Sequence, residues 1–259
     1  MRLLKISLLL AFVFCGTYFS KAQTPVSKRE KAAIEKIVRE YLLKNPALIR
    51  EAMQALEVQD AKEKQLRSAA SMTNLKSEIY SDPTSPVGGN PNGDVTIVVF
   101  FDYNCGYCKK TLPELQGIVA KDPSLRVIYK EFPILGPQSQ TAAQAAMAAA
   151  RQGKYVEFHN ALIAADGAGE DVIKNISHKL GIDYAKLQKD MIDLKLNQAL
   201  DANLKLAEAL DIQGTPAYIV GDQIIPGAID ADALGRLVGE QRAKLTVGKS
   251  PSTTGEPKK

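Results

Sequence analysis

Cys105-Gly106-Tyr107-Cys108 constrains this chain more than any other feature. It follows the apolar run Val95–Phe101, whose β-branched and aromatic residues read as a strand, and it opens Lys109–Val119, which reads as a helix. A strand that feeds a helix through a Cys-x-x-Cys turn sets the first sulfur beside free backbone N–H groups, at the positive end of the helix dipole. That setting stabilises a thiolate, so Cys105 reads as a redox nucleophile. Cys108 comes one turn later, partly covered, where it can resolve a mixed disulfide by attacking Cys105.

Two blander readings of the pair stand beside this one. Half of a structural zinc site is the first, but such a site needs four ligands. Downstream of the N-terminal segment the chain offers no further cysteine and only His159 and His178, both inside helical patterns. An inert structural disulfide is the second. No metal and no cofactor is expected.

Residues 1–22 read as a secretory signal. Arg2 and Lys5 form a positive start, Ile6–Phe14 is an apolar stretch too short to span a bilayer, and Ser20-Lys21-Ala22 resembles a cleavage site. An uncleaved membrane anchor is the alternative. Cys15 lies inside this segment, without the leucine and small residue expected before a lipid-modified cysteine, and is expected to leave with it. The expected location is the periplasm or another exported compartment, with the mature chain soluble. The formal charge of +4 falls to +1 without Arg2, Lys5 and Lys21, so nothing in it points to nucleic acid. Two neighbouring cysteines in an exported chain are not acting as a staple.

Three regions follow. Residues 23–80 read as a helical oligomerisation segment and stalk. Ile34, Ile37, Val38, Tyr41 and Leu42 share one helical face, Asn45-Pro46 breaks the helix, and Leu48, Ile49, Met53 and Leu56 form a second stripe. From Glu57 to Asn74 the pattern turns polar and reads as a solvated shaft. Two short amphipathic helices cannot fold alone, so their apolar faces pack either on their own domain or, the reading favoured by the polar shaft, on copies of the chain. Ser81–Asp94, with Asp82-Pro83, Gly88-Gly89 and Asn92-Gly93, reads as a turn-rich entry to the catalytic domain rather than a site.

The domain itself is placed at residues 81–247. Leu125–Phe132 reads as its next strand, and Ala217–Val220 and Gln223–Ile225 as two more, joined by Gly221-Asp222. A helical insertion spans about 138–210, a last helix spans Ala231–Leu245, and residues 248–259 read as a disordered tail.

Asp102-Tyr103-Asn104-Cys105-Gly106-Tyr107-Cys108, Tyr129-Lys130-Glu131-Phe132-Pro133 and Gly214-Thr215-Pro216-Ala217 resemble a DsbA-family thiol–disulfide oxidoreductase. The N-terminal helices, with Tyr41-Leu42-Leu43-Lys44-Asn45-Pro46, resemble the ScsC-like subgroup, whose extension oligomerises. The resemblance implies an α/β thioredoxin fold with a helical insertion, preceded by an all-α extension. It makes Cys105 the nucleophile, Cys108 the resolving thiol and Pro216 a cis proline, with Gly106, Tyr107 and Thr215 supporting the site. It also leaves the Thr215 backbone free to pair with an extended substrate. Relatives commonly carry a glutamate where this chain has Val99; Lys130 and Glu131 are the candidate replacements, and Asp102 reads as a cap or turn residue.

Gly106-Tyr107 and Thr215 resemble a disulfide isomerase more than an oxidase. The first function is therefore an isomerase or reductase acting on misfolded or newly exported proteins, kept reduced by a membrane partner resembling DsbD. A DsbA-like oxidase with a partner resembling DsbB is the second. A copper-handling thiol protein, with Cu(I) held by Cys105 and Cys108 of several copies, is the third. Deleting residues 23–74 is expected to leave a folded monomer. Sedimentation showing full and truncated chains in one oligomeric state would refute the role given to the extension.

Overall fold

A computed structural model describes residues 27–247. The expected signal, with Cys15, and the expected tail lie outside the described residues. Two compact units divide the chain, the boundary falling between Asp60 and Ala61.

In the first unit, α1 (Lys28–Lys44) starts at a capping box in which Ser27 Oγ accepts the Glu30 N–H and the Glu30 carboxylate accepts the Ser27 N–H. It stops at Asn45, whose side-chain amide donates to the Tyr41 carbonyl, just before Pro46. Helix α2 (Ala47–Asn74) restarts at once and runs on into the second unit. Every residue from 27 to 60 is exposed, among them Ile34, Ile37, Val38, Tyr41, Met53 and Leu56. Helices that bury none of their apolar stripe have little beyond propensity to hold them.

The second unit is built on one sheet of five strands in the order β1-β3-β2-β4-β5. These are β1 (Val87–Gly89), β2 (Val95–Phe101), β3 (Leu125–Glu131), β4 (Ala217–Val220) and β5 (Gln223–Pro226). Strands β2 and β3 run parallel and are joined by α4 (Gly106–Lys121), the crossover that a parallel pair requires. Strand β4 pairs with β2 antiparallel, Phe100 opposite Ala217 and Val99 opposite Tyr218. Five helices, α5 (Pro137–Ala150), α6 (Tyr155–Ile163), α7 (Glu170–Lys179), α8 (Tyr184–Met191) and α9 (Leu194–Ala209), form the insertion between β3 and β4, and α10 (Ala231–Val247) follows β5. The thioredoxin fold with its helical insertion is thus as expected.

The turn-rich entry differs from expectation. Gly88-Gly89 lie in β1, which pairs antiparallel with β3 at the sheet edge. Gly89 has φ +67°, and a Cβ there would sit 2.5 Å from the Leu125 carbonyl oxygen, so the strand needs the glycine that hides it from a propensity reading.

Strand alternation divides the core in two. Val95, Ile97, Val99, Phe101, Val127, Tyr129 and Tyr218 face α4, α10 and the insertion. Val98, Phe100, Ile128 and Ile219 face the other way, onto Met72, α3 (Lys76–Tyr80) through Ile79, and Leu206, Leu210 and Ile212. Each such side chain fully buried contributes about 1.5–3 kcal/mol. Because Met72 belongs to this second core, a truncation at residue 74 removes a buried side chain, and a cut before Ala61 leaves the domain whole.

Lys130 lies on the second face, almost fully buried, and donates to the Glu78 carbonyl (2.7 Å) and the Asp82 carboxylate (2.9 Å). Burial pulls its pKa down against the pull of Asp82. Burial opposes ionisation of Asp82 too, but bonds from Ser85, Thr84 and Lys130 bring its carboxyl down to about 2. We expect Asp82→Ala to strand this ammonium and cost about 3 kcal/mol, the low end for a broken buried pair. Lys130→Met should cost clearly less in the same urea melts. Equal losses would mean that the charge on Lys130 contributes nothing to the difference.

Candidate active site

Cys105 is the N-cap of α4. Its backbone is extended and its sulfur accepts the Cys108 N–H at 3.4 Å, satisfying one of the donors that a helix start leaves open. On its other side Cys105 Sγ, a thiol here, donates to the Thr215 carbonyl at 3.2 Å. The Thr215–Pro216 peptide is cis, and the Pro216 carbonyl accepts the Gly227 N–H at 2.9 Å, which ties the loop to the end of β5. The structure therefore brings Cys105, Cys108, Thr215 and Pro216 together. In this thiol form the Thr215 carbonyl accepts from Cys105, which uses one of its two lone pairs.

Gly106 and Tyr107 form the exposed first turn of α4, with open space where a Gly106 side chain would stand and Tyr107 67% exposed. Cys108 is fully buried rather than partly covered, and burial pushes its thiol well above the ordinary range. Next on the same buried face, Thr111 donates to the Tyr107 carbonyl and is 3.0 Å from the Tyr218 hydroxyl. With the Thr111 proton committed, Tyr218 is the donor.

Asp102 organises the approach to Cys105. One carboxylate oxygen accepts the Asn104 N–H and the Ser139 hydroxyl, both at 2.7 Å, and the other accepts the Ile134 and Leu135 N–H groups at 2.9 Å. The turn role read for it agrees with this geometry. The loop it holds presents Ile134 and Leu135, both exposed, beside the dithiol turn. Among the described residues no cluster of three or more His, Cys, Asp or Glu side chains is arranged to hold a metal ion.

Residues 96–239 match the DSBA-like thioredoxin domain, and residues 30–63 match the copper resistance protein ScsC N-terminal domain. The chain belongs to the DSBA-like thioredoxin family. A thioredoxin-like oxidoreductase from Silicibacter pomeroyi DSS-3 is 42% identical, the match covering 64% of this chain and 97% of that one, with a TM-score of 0.63. Proteus mirabilis ScsC, in a transitional conformation, is 32% identical over 84% of this chain and 99% of its own, with a TM-score of 0.64. A periplasmic thioredoxin-like protein from Salmonella enterica serovar Typhimurium is 36% identical over 65% and 96%, with a TM-score of 0.61. Curated relatives include a Na(+)/H(+) antiporter NhaA 3 of Salinispora tropica, 26% identical over 155 residues. The chain spans 24% of that relative's length.

Sequence reasoning missed a buried polar cluster of this DSBA-like domain. Glu131 Oε1 accepts from the hydroxyls of Tyr103 (3.0 Å) and Tyr155 (2.7 Å), and Tyr103 is also 3.0 Å from His159 Nδ1. Tyr155 and His159 share one face of α6, spaced four apart, but nothing local in the sequence pairs them with a strand residue. Lys130, the other replacement considered, points to the opposite face and is removed from this side of the sheet by strand alternation. Burial raises the Glu131 carboxyl to about 8 despite its two phenol donors, and burial lowers His159 to about 3.

The two shifts act on stability in opposite directions. Glu131, raised from 4.5, stabilises fully below that value and loses the contribution as pH rises through about 8. His159, lowered from 6.5, stabilises fully above that value and loses the contribution as pH falls through about 3. Between pH 6.5 and 8 the unfolding free energy should therefore fall, with a slope approaching about 1.4 kcal/mol per pH unit. Urea denaturation of Glu131→Gln across that window should lack the slope; a slope unchanged in the variant would assign it to another group.

Proposed function

We propose that this chain is an exported thiol–disulfide oxidoreductase that acts as a disulfide isomerase or reductase on misfolded proteins, and that its N-terminal helices assemble several copies. The observation that carries the reading is the pairing of a thiol at the N-cap of α4 with the Thr215 carbonyl, over a second thiol that is fully buried. Membership in the DSBA-like thioredoxin family supports the redox chemistry, and the periplasmic relative supports the location.

In the proposed reaction the Cys105 thiolate attacks one sulfur of a substrate disulfide. A bond forms between that sulfur and Cys105 Sγ, the substrate S–S bond breaks, and the other substrate sulfur leaves as a thiolate. The freed thiolate reshuffles other pairs in the substrate, and a last attack on the mixed disulfide returns Cys105 as a thiolate with no net electron transfer. The competing exit needs Cys108 to give up its proton and attack Cys105 Sγ, which makes the Cys105–Cys108 disulfide and passes two electrons to the substrate. Burial makes that deprotonation costly, which lengthens the life of the mixed disulfide and favours reshuffling. A membrane thiol reductase resembling DsbD would restore the dithiol after each escape.

Two features support protein substrates. The Thr215 carbonyl has a second lone pair beside the Cys105 bond, and both are open once Cys105 is a thiolate or a mixed disulfide, so it can accept from the backbone of an extended chain. Tyr107, Ile134 and Leu135 offer exposed apolar surface around the dithiol turn. The unburied apolar stripes of α1 and of α2 before Ala61 support homo-oligomerisation, which would cover them. A copper role has one specific support, the match of residues 30–63 to a domain of a copper resistance protein. It would need thiolates from more than one copy.

The test is the refolding of ribonuclease carrying scrambled disulfides by the reduced protein. We expect recovery of ribonuclease activity, and its loss on deletion of residues 23–60 together with a fall to monomer in sedimentation. Rapid oxidation of reduced ribonuclease by the disulfide form, with no rescue of the scrambled form, would make the protein an oxidase acting with a partner resembling DsbB.

A further inference from the structure

On the second face of the sheet, where Lys130 lies, the domain carries a groove of about 760 Å³, within the range of about 300–1,000 Å³ that small-molecule sites span. Helix α9 lines one side of it, and the segment from Leu75 through α3 to Thr84 lines the other. Ala199, Ala202, Asn203, Leu206 and Ala209 recur at intervals of three and four along α9, so they share one helix face. The alanines leave open the space that larger side chains would fill, and most of the surface that lines the groove is carbon.

Two buried polar side chains line this groove with bonding capacity left over. Asn203 is 3% exposed, and its side-chain amide makes no hydrogen bond among the described residues. It brings two donors and an acceptor into a largely apolar wall, which is costly unless something in the groove pairs with them. Lys130 is 1% exposed. Two of its three N–H donors go to the Glu78 carbonyl and the Asp82 carboxylate, and the third is uncommitted among the described residues. Lys195 and Lys205 are exposed lining residues without an ion pair among the described residues. The lining thus sets three lysines against two carboxylates, those of Glu78 and Asp82, and one anionic head group balances it.

We propose that this groove binds a fatty acid, its carboxylate at the open donors of Lys130 and Asn203 and its alkyl chain along the alanine face of α9. A carboxylate accepts charge-assisted bonds from an ammonium and further bonds from an amide N–H₂. A saturated chain buries against Ala199, Ala202 and Leu206 without requiring a polar partner. Other amphiphiles fit less well. A cationic head would meet an ammonium, and a peptide would bring a backbone donor and acceptor at every residue to walls that offer few partners. The site takes no part in the chemistry of Cys105 and does not depend on it.

The experiment is calorimetric titration of the full-length protein with decanoate, decanol and decyltrimethylammonium, followed by crosslinking to a diazirine-bearing fatty acid mapped by peptide mass. We expect decanoate to bind about ten-fold tighter than decanol, with the ammonium weakest. From octanoate to dodecanoate the affinity should rise about three- to four-fold for each added CH₂. The strongest label should fall within residues 75–84 and 195–209. Asn203→Leu removes an amide that has no partner, so its urea midpoint should be unchanged or higher while the preference for decanoate over decanol is largely lost. Lys130→Met should lose that preference too, and decides the matter if Asn203→Leu does not fold. Ala202→Phe, at an exposed lining position, should block all three ligands. Absence of binding, equal affinity for the three head groups, or a preference that survives both Asn203→Leu and Lys130→Met would overturn the proposal. So would strongest label on the apolar stripes of residues 27–60 or around Tyr107, Ile134 and Leu135.

Discussion

The antiparallel pairing of β2 with β4 is the constraint on which the rest depends. Phe100 lies opposite Ala217, so the chain leaving β2 and the chain entering β4 meet at the same end of the sheet. Cys105 and Thr215 come into contact there across 110 residues of sequence. The ladder behind them, made of fully buried side chains such as Ile97, Val98, Val99 and Ile219, supplies the rigidity. A thiol presented by a helix N-cap then faces a carbonyl presented by a cis-proline loop, and each limits how the other can move.

From that pairing the strand period assigns everything else. Lys130 and Glu131 are neighbours in sequence with opposite environments, because β3 sends one to each core. Lys130 finds a carboxylate and a carbonyl from the segment around α3 and so fastens the entry segment to the sheet. Glu131 finds two phenols, Tyr103 from the turn and Tyr155 from α6. The insertion is thus more than cover for one face of the sheet. Through α6 it contributes to the polar cluster on which Tyr103 rests, and through α5 it contributes Ser139 to the carboxylate of Asp102.

Legibility in the sequence followed locality. The strands at Val95–Phe101, Leu125–Glu131 and Ala217–Val220 could be read because each is an apolar run bounded by turn residues. The two cysteines and the Thr215-Pro216 pair could be read because their chemistry sits in consecutive residues. Edge strand β1 could not, since Gly88 and Gly89 answer to the close approach of the Tyr129 ring and the Leu125 carbonyl and carry no strand signal. Tyr155 and His159 could not either: their partners lie 24 and 56 residues away, and a tyrosine and a histidine on an apolar helix face look like core. The contact between Cys105 and the Thr215 carbonyl, and the full burial of Cys108, belong to the same class.

By itself the sequence determined the order of elements, the dithiol at the start of a helix, the proline loop before a late strand and an N-terminal helical extension with two apolar stripes. These are properties of short windows, governed by periodicity, capping and turn chemistry. Only the tertiary structure decided which groups are cut off from water and what each then meets. It buried Cys108, gave Lys130 a counter-charge and left Glu131 with two phenols in place of one. Desolvation and long-range pairing set those outcomes, and both depend on how the sheet is assembled from distant strands rather than on any neighbour in the chain.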